Sequence, residues 1–274
     1  LDEIVQKNEK GFSMTHLILS VANHIARITL NRPEVRNAFN DDVIAELTQA
    51  FKDMGANPDV RCIVLAAEGS AFCAGADLNW MRRMADYSYN ENLADAGHLA
   101  QMLHTIAVCP KPTVARVHGD VYAGGTGLVA VCDMAVAVDT AQFCISEVKI
   151  GLVPATISPY LIRAMGVRAA QRYWLTAERF SAVEARRMGL ISEVITIDAL
   201  DATVDKLCNA LCLASPDAVR ATKKLIDAVI DKPITHELIA HTVKEIASIR
   251  TSPQGREGVQ AFLQKRLPSW IQQS

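Results

Sequence analysis

Residues 60–67, Val-Arg-Cys-Ile-Val-Leu-Ala-Ala, form a nearly continuous apolar run. A strand turns successive side chains to opposite faces, so one without polar alternation needs cover on both. An open sheet with one wet face is thereby disfavoured, and a sheet enclosed between layers is favoured. The flanking segments supply such layers. Asn40 is placed to cap a helix with Asp41 and Asp42 in its first turn, and Val43, Ile44, Leu47, Phe51 and Met54 follow at helical spacing. Gly55 can end it. Residues 93–108 read as a second helix closed by Pro110, and 124–132 as a short apolar one. Residues 112–117, 134–138 and 142–145 read as further strands. The order strand, helix, strand, helix, strand predicts an α/β core with right-handed crossovers.

Before this core, residues 17–20 and 25–30 read as a hairpin around Ala22-Asn23-His24. Residues 68–76 read as a loop of small residues. From Pro159 onward the pattern is almost wholly helical, with helices over 181–188, 199–214 and 255–267 and with Pro216 and Pro233 as punctuation. A helical part without its own β core docks on the core or on another subunit. The expected division is a core over 14–200, a helical oligomerisation region over 201–274 and an N-terminal extension over 1–13.

Composition narrows the function. A net charge of −2 argues against a broad nucleic-acid surface. No uncharged apolar run reaches the roughly 18 residues of a membrane span. Residues 1–13 show neither an apolar signal core nor an Arg-rich presequence pattern. The seven cysteines include no Cys-x-x-Cys pair, and Cys208 and Cys212, one helical turn apart, read as helix packing. The seven histidines show no ligand spacing, and His118 beside Gly119 reads as a strand-end residue. The expectation is a cytoplasmic protein with free thiols and no metal site.

Three segments, 71–78, 119–133 and 143–154, each lead from a strand into small residues. One such loop is no more than a tight turn; the ordered set is more specific. Gly-Gly-Thr-Gly at 124–127 lets backbone N–H groups approach a ligand closely. Glu147, twenty residues after the last of these glycines, lies among Ile145, Val148 and Ile150, where desolvation would raise its pKa and suit it to acid–base work. An ion pair with Lys149 accounts for it equally well.

Over residues 16–270 the chain resembles the enoyl-CoA hydratase/isomerase (crotonase) superfamily. The resemblance rests on Leu30-Asn31-Arg32-Pro33 with Asn37-Ala38, on Phe72-Cys73-Ala74-Gly75-Ala76-Asp77-Leu78, on the glycine loop ending in Cys132-Asp133, on Phe143…Glu147…Gly151-Leu152-Val153-Pro154, and on Ala261-Phe262-Leu263-Gln264-Lys265-Arg266. More narrowly, Ala76-Asp77-Leu78-Asn79-Trp80-Met81 and residues 146–155 look like the bacterial methylglutaconyl-CoA hydratase branch. The resemblance implies an α/β fold with a ββα superhelical core, an α-helical C-terminal trimerisation region, and a homotrimer or dimer of trimers.

It also implies roles. Ala76 and Gly124 match the positions whose backbone N–H groups polarise a thioester carbonyl. Glu147 matches the second of two catalytic glutamates, whereas the first falls at Gly127, which has no side chain. Ser158 and Pro159 replace part of a glycine-rich stretch. Arg36, Ala38, Ala74, Asp77 and Leu78 match the CoA adenine and phosphate region, Gly125 belongs to the glycine loop, and Lys265 matches a C-terminal basic position that reaches the nucleotide. Tyr122 lines the acyl pocket or is a core aromatic. Arg82 and Arg83 are the nearest cations for a second substrate carboxylate, unless they are solvated helix charge.

The expected activity is reversible hydration of 3-methylglutaconyl-CoA or a related branched glutaconyl-CoA, as in leucine degradation or fatty acid metabolism, through an enolate served by one glutamate. The alternatives are a Δ3,Δ2-enoyl-CoA isomerase and a non-catalytic acyl-CoA-binding homologue. Ala155 stands where a dehalogenase-type member would want a nucleophilic aspartate. No cofactor is expected beyond the CoA of the substrate, and no nucleic-acid or membrane partner.

Overall fold

A computed structural model describes residues 14–271 of the 274; the expected extension over 1–13 lies outside the described residues. Strands β1 (Leu17–Ala22) and β2 (Ile25–Leu30) form the expected antiparallel hairpin. Asn23 and His24 take φ of 51° and 65°, the left-handed pair that a two-residue hairpin turn requires. Helix α1 (Asp41–Ala56) begins at Asn40, whose side chain accepts the Val43 N–H at 3.1 Å. Gly55 does not end it. The helix runs on through Ala56, and Gly55 instead lets it lie close to Cys109 and Pro110.

Strand β3 (Cys62–Ala67) is buried at every position, as its unbroken apolar run requires. The segment read as a loop over 68–76 contains a short strand, β4 (Ala71–Cys73). Helix α2 (Leu78–Ala85), not among the helices expected from the sequence, follows and buries Trp80. Then come α3 (Tyr89–Ala107), β5 (Thr113–Val117), β6 (Asp120–Tyr122), α4 (Gly124–Ala130), β7 (Met134–Val138) and β8 (Gln142–Cys144).

The remainder is α5 (Ser158–Thr176), β9 (Phe180–Ser181), α6 (Ala182–Met188), β10 (Glu193–Ile195), α7 (Ile197–Leu213), α8 (Pro216–Val229), α9 (His236–Thr251) and α10 (Pro253–Leu263). The stretch after Pro159 is therefore not wholly helical. Both of its strands join sheets begun earlier in the chain.

Six strands form one sheet in the order β1-β2-β3-β5-β7-β10, parallel throughout except for the β1–β2 hairpin. A second sheet runs β4-β6-β8-β9, its first three strands parallel. Helices α1 and α3 pack on each other, and α7 packs on β3, β5 and β7. This is a mixed α/β fold with ten α-helices among the described residues. Helix α7 runs through the expected division at 200/201 and buries Leu200, Val204 and Cys208 in the core. Helices α8 and α9 bury no residue and expose Ile226, Ile239, Val243 and Ile246. No helix among the described residues is long and apolar enough to cross a membrane.

Candidate active site

The three small-residue segments leave the carboxyl ends of three neighbouring parallel strands. Ala76 lies just beyond β4, Gly124 just beyond β6 and Glu147 just beyond β8, with β6 in the middle. Crevices outside the carboxyl ends of parallel strands are where α/β folds place ligands. Register fixes the arrangement: Cys73 pairs with Val121, and Tyr122 with Cys144.

Backbone pairing then aims the first two groups. Phe39 and Ala76 form a parallel bridge in which Phe39 N–H donates to the Gly75 carbonyl at 2.9 Å and Asp77 N–H donates to the Phe39 carbonyl at 3.0 Å. The Ala76 N–H therefore projects from the other edge of its strand, away from Phe39. Gly124 opens α4, so its N–H precedes the first intrahelical bond. The two loops touch, since a Cβ on Gly75 would lie 3.0 Å from the Ala123 Cβ. Gly124 has to be glycine here: a Cβ would fall 2.5 Å from Cζ of Phe39. Ala123, entering α4, holds a φ of 47° and ψ of −124°. For a residue with a Cβ that conformation costs about 1–3 kcal/mol and persists only where the surroundings over-determine it. Its N–H is tied to the Cys144 carbonyl at 2.8 Å, and its carbonyl accepts from the Thr126 hydroxyl at 2.7 Å.

Glu147 begins a 3-10 turn, Glu147–Ile150, directly after β8. Its Oε2 is buried and has no protein partner, and no ion pair with Lys149 forms among the described residues. Burial raises its pKa above the ordinary carboxyl value, against a smaller pull downward from the N–H groups of Glu147 and Ser146. A carboxyl with one buried, unpartnered oxygen and a pKa raised by burial is suited to take up a proton and return it.

Gly127 lies on α4, one turn into the helix. A Cβ there would fall 2.2 Å from Cγ2 of Ile157, a buried residue at the start of α5. Ile157 thus occupies the space into which a side chain at position 127 would extend. Gly125 serves packing of a different kind, admitting β4 to within 2.8 Å of where its Cβ would stand.

The residues that brace these loops were only partly visible in sequence. Buried Asn37 donates to the carbonyls of Glu68 (2.7 Å) and Ala71 (2.9 Å) and accepts the Arg32 N–H (2.9 Å). Ala74 N–H donates to the Arg36 carbonyl at 2.9 Å, which lays residues 36–39 alongside 74–77. Asp77 accepts the N–H groups of Asn79 and Trp80 as the N-cap of α2 and pairs with Arg32 at 2.9 Å. Burial works against its charge, but those N–H groups and the Arg32 guanidinium prevail and hold its pKa below the ordinary range. The Asp77 side chain is thus committed to the loop. Arg32, 45 residues away, carried no signal of this pairing.

The other expected residues divide. Ala38 is buried, while Arg36 and Leu78 are exposed beside the Ala76 loop. Tyr122 is half-buried, with the Arg179 guanidinium 5.4 Å from its ring centroid and its hydroxyl donating to Asp120 at 3.3 Å. Arg83 pairs with Asp41 at 2.6 Å, Arg82 bonds the Asn79 side chain, and both are exposed. Lys265 is exposed in the turn after α10, and no hydrogen bond or ion pair among the described residues joins it to these loops. His118 closes on the Gly69 carbonyl through Nε2 at 2.9 Å, at the end of β5 as expected. It lines a separate cleft of about 340 Å³ with Arg27, Arg116 and Asp201, in which Asp201 takes both arms of Arg116.

Known proteins share this fold. The family model described as enoyl-CoA hydratase/isomerase matches residues 20–273. The structure of an enoyl-CoA hydratase from Shewanella pealeana superposes with a TM-score of 0.91 at 41% identity, covering 93% of this chain and 96% of that one. That of Mycobacterium smegmatis enoyl-CoA hydratase gives a TM-score of 0.88 at 34% identity, covering 94% and 99%. Enoyl-CoA hydratase ACTT6 of Alternaria alternata is 34% identical over 237 residues, 86% of this chain and 77% of that protein. The chain belongs to the enoyl-CoA hydratase/isomerase (crotonase) family of enzymes.

Proposed function

We propose that the protein catalyses the reversible hydration of an α,β-unsaturated acyl-CoA, 3-methylglutaconyl-CoA or a related branched glutaconyl-CoA. The observation that carries this reading is the buried, unpaired Oε2 of Glu147, just beyond β8, the strand next to β6, beyond which α4 opens at Gly124. Water attacks C3 while the Glu147 carboxylate takes a proton from it, and the electron pair of the double bond moves onto the thioester oxygen. The N–H groups of Ala76 and Gly124 hold that charge; fixed donors in a water-poor site contribute about 3–4 kcal/mol each in comparable enzymes. The Glu147 acid then returns the proton to C2. No group beyond the CoA of the substrate enters these steps.

The backbone of residues 74–78 with Arg36 and Ala38 borders the CoA nucleotide, and Lys265 reaches it, from the same or a neighbouring subunit. The exposed apolar residues of α8 to α10, Ile226, Ile239, Val243, Phe262 and Leu263 among them, supply the faces of a trimer. The test is turnover by Glu147→Gln on a panel of enoyl-CoA thioesters with and without a terminal carboxylate. Near-normal turnover by a folded variant refutes the mechanism, and binding without turnover by the wild type identifies a non-catalytic acyl-CoA-binding protein. Indifference to the terminal carboxylate refutes the glutaconyl assignment.

One observation supports a second reading, Δ3,Δ2-isomerisation. Ile157 fills the space of a second acid, and one carboxyl suffices to carry a proton between carbons. Reaction in heavy-oxygen water separates the two, because hydration alone places solvent oxygen on C3.

A further inference from the structure

Three of the seven free cysteines come together away from the catalytic loops, where α7 crosses the start of β3. We propose that Cys212 and Cys62 form a peroxide-oxidisable pair, in which Cys212 is oxidised to a sulfenic acid and Cys62 then displaces water from it to close a disulfide between α7 and β3.

The β1–β2 hairpin brings the two segments together. The sulfur of Cys212 lies 3.9 Å from the carbonyl of Asn23, in the hairpin turn. Arg61 N–H donates to the carbonyl of the next turn residue, His24, at 2.7 Å, and Cys62 follows in register with Ile25. Cys208 sits one turn earlier on α7, and the Cys62 thiol lies close enough to those of Cys208 and Cys212 to interact with both.

Access and charge assign the order of events. Cys62 and Cys208 are fully buried, and only Cys212 is partly exposed, so peroxide meets Cys212 first. The hydrogen bond from Cys62 lowers the Cys212 pKa to about 7 against burial, with help from His24 and Arg61. The same bonds to Cys208 and Cys212, and then burial, push Cys62 upward, so it keeps its proton. Cys208 is also drawn down by Cys62, against burial and the charges of Cys212 and Asp205, with Arg27 opposing them. A partly exposed thiol that ionises more readily than usual, beside a buried thiol that keeps its proton, is the arrangement of an attacking and a resolving cysteine.

The Cys212 thiolate attacks peroxide, an S–O bond forms, the O–O bond breaks and hydroxide leaves. The Cys62 sulfur then attacks the Cys212 sulfur, the S–O bond breaks, and the departing hydroxide takes the Cys62 proton as water. The two thiols are oxidised and one peroxide is reduced to two waters. Cys208 is the poorer resolving group, because side chains one turn apart on a helix point the same way, whereas a disulfide needs its Cβ atoms turned about 90° around the S–S bond. The bond would fix the end of α7 from which α8 departs. The chain's C-terminal segment also lies there, with Trp270 Nε1 donating to the Leu213 carbonyl at 3.2 Å and Arg61 donating to the Trp270 carbonyl at 3.1 Å.

The experiment is hydrogen peroxide treatment of the full chain, followed by thiol counting and non-reducing peptide mapping. The expected result is loss of two of the seven thiols, a Cys62–Cys212 peptide pair, and reversal by dithiothreitol. Cys212→Ser should abolish the crosslink, Cys208→Ser should keep it, and Cys62→Ser should leave a sulfenic acid on Cys212 that dimedone traps. Because Cys62 lies in the core, alkylation of the wild-type chain at neutral pH is the second arm, with Cys212 expected to react about tenfold faster than any other cysteine. A Cys208–Cys212 link, a link between chains, or a Cys212 no more reactive than the rest overturns the proposal.

Discussion

Cγ2 of Ile157 lies 2.2 Å from where any side chain at Gly127 would begin. The glycine and the isoleucine are one packing unit built from two helices, α4 and α5. Gly127→Ala is expected to cost about 1–3 kcal/mol by overpacking. Ile157→Ala is expected to cost about 2–5 kcal/mol by opening a cavity. The double variant should cost clearly less than the sum, because each change makes room for the other. Urea denaturation of the four proteins measures this coupling. Gly127→Glu should likewise be accommodated only when Ile157 is cut back.

Glu147 sets activity against stability. Its folded pKa is raised by burial, so the folded chain holds this proton more tightly than the unfolded chain does. The associated stability is fully present below the ordinary carboxyl pKa and is lost as pH rises through the raised value. Glu147→Gln escapes that loss. It should therefore unfold at a higher temperature than wild type at neutral pH, with the advantage vanishing in acid. Turnover should fall by about 10²–10⁴. Paired melting curves and steady-state assays across pH check both directions, and the wild-type kcat/KM should decline as pH falls through the same raised pKa.

Gly124→Ala tests the oxyanion donor. Its Cβ would fall 2.5 Å from Cζ of Phe39, so the backbone of the 123–124 turn must move. Displacing one such donor costs about 10²–10³ in kcat. Combining it with Phe39→Leu removes the clash and should recover part of the loss. A normal kcat in the single variant would show that the Gly124 N–H does not stabilise the transition state.

Much of this architecture could be read from the sequence where local chemistry dictates structure. The apolar run of β3, the Asn23-His24 turn and the Asn40 cap each contain their own reason. The second sheet was not legible, because β4 and β6 have three residues each, too few to show a period of two among small residues. That sheet is what places Ala76, Gly124 and Glu147 side by side, and their motifs do not contain the reason they meet. Ile157, Phe39 and Arg32 escaped for a related cause: their partners Gly127, Gly124 and Asp77 are distant in sequence, and no spacing rule connects them.

Asp77 separates loop scaffolding from substrate binding. Its carboxylate caps α2 and pairs with Arg32, with side-chain exposures of 6% and 16%, respectively. Asp77→Ala removes the cap, worth about 0.5–2 kcal/mol, and leaves the Arg32 guanidinium with its Ala38 carbonyl bond but no carboxylate; losing one partner of a fully buried pair costs about 3–5 kcal/mol, an upper bound for this partly buried one. Asp77→Asn keeps a capping oxygen and loses only the charge pairing, so it should be less damaging. The folded pKa of Asp77 is depressed, so its stability contribution is present above the ordinary carboxylate value and lost as pH falls through the depressed one. Wild type and Asp77→Asn should therefore converge in stability on acidification, as followed by urea unfolding at stepped pH. If the side chain instead serves CoA, Asp77→Asn will raise KM for an acyl-CoA while leaving the unfolding midpoint unchanged, and the scaffold assignment fails.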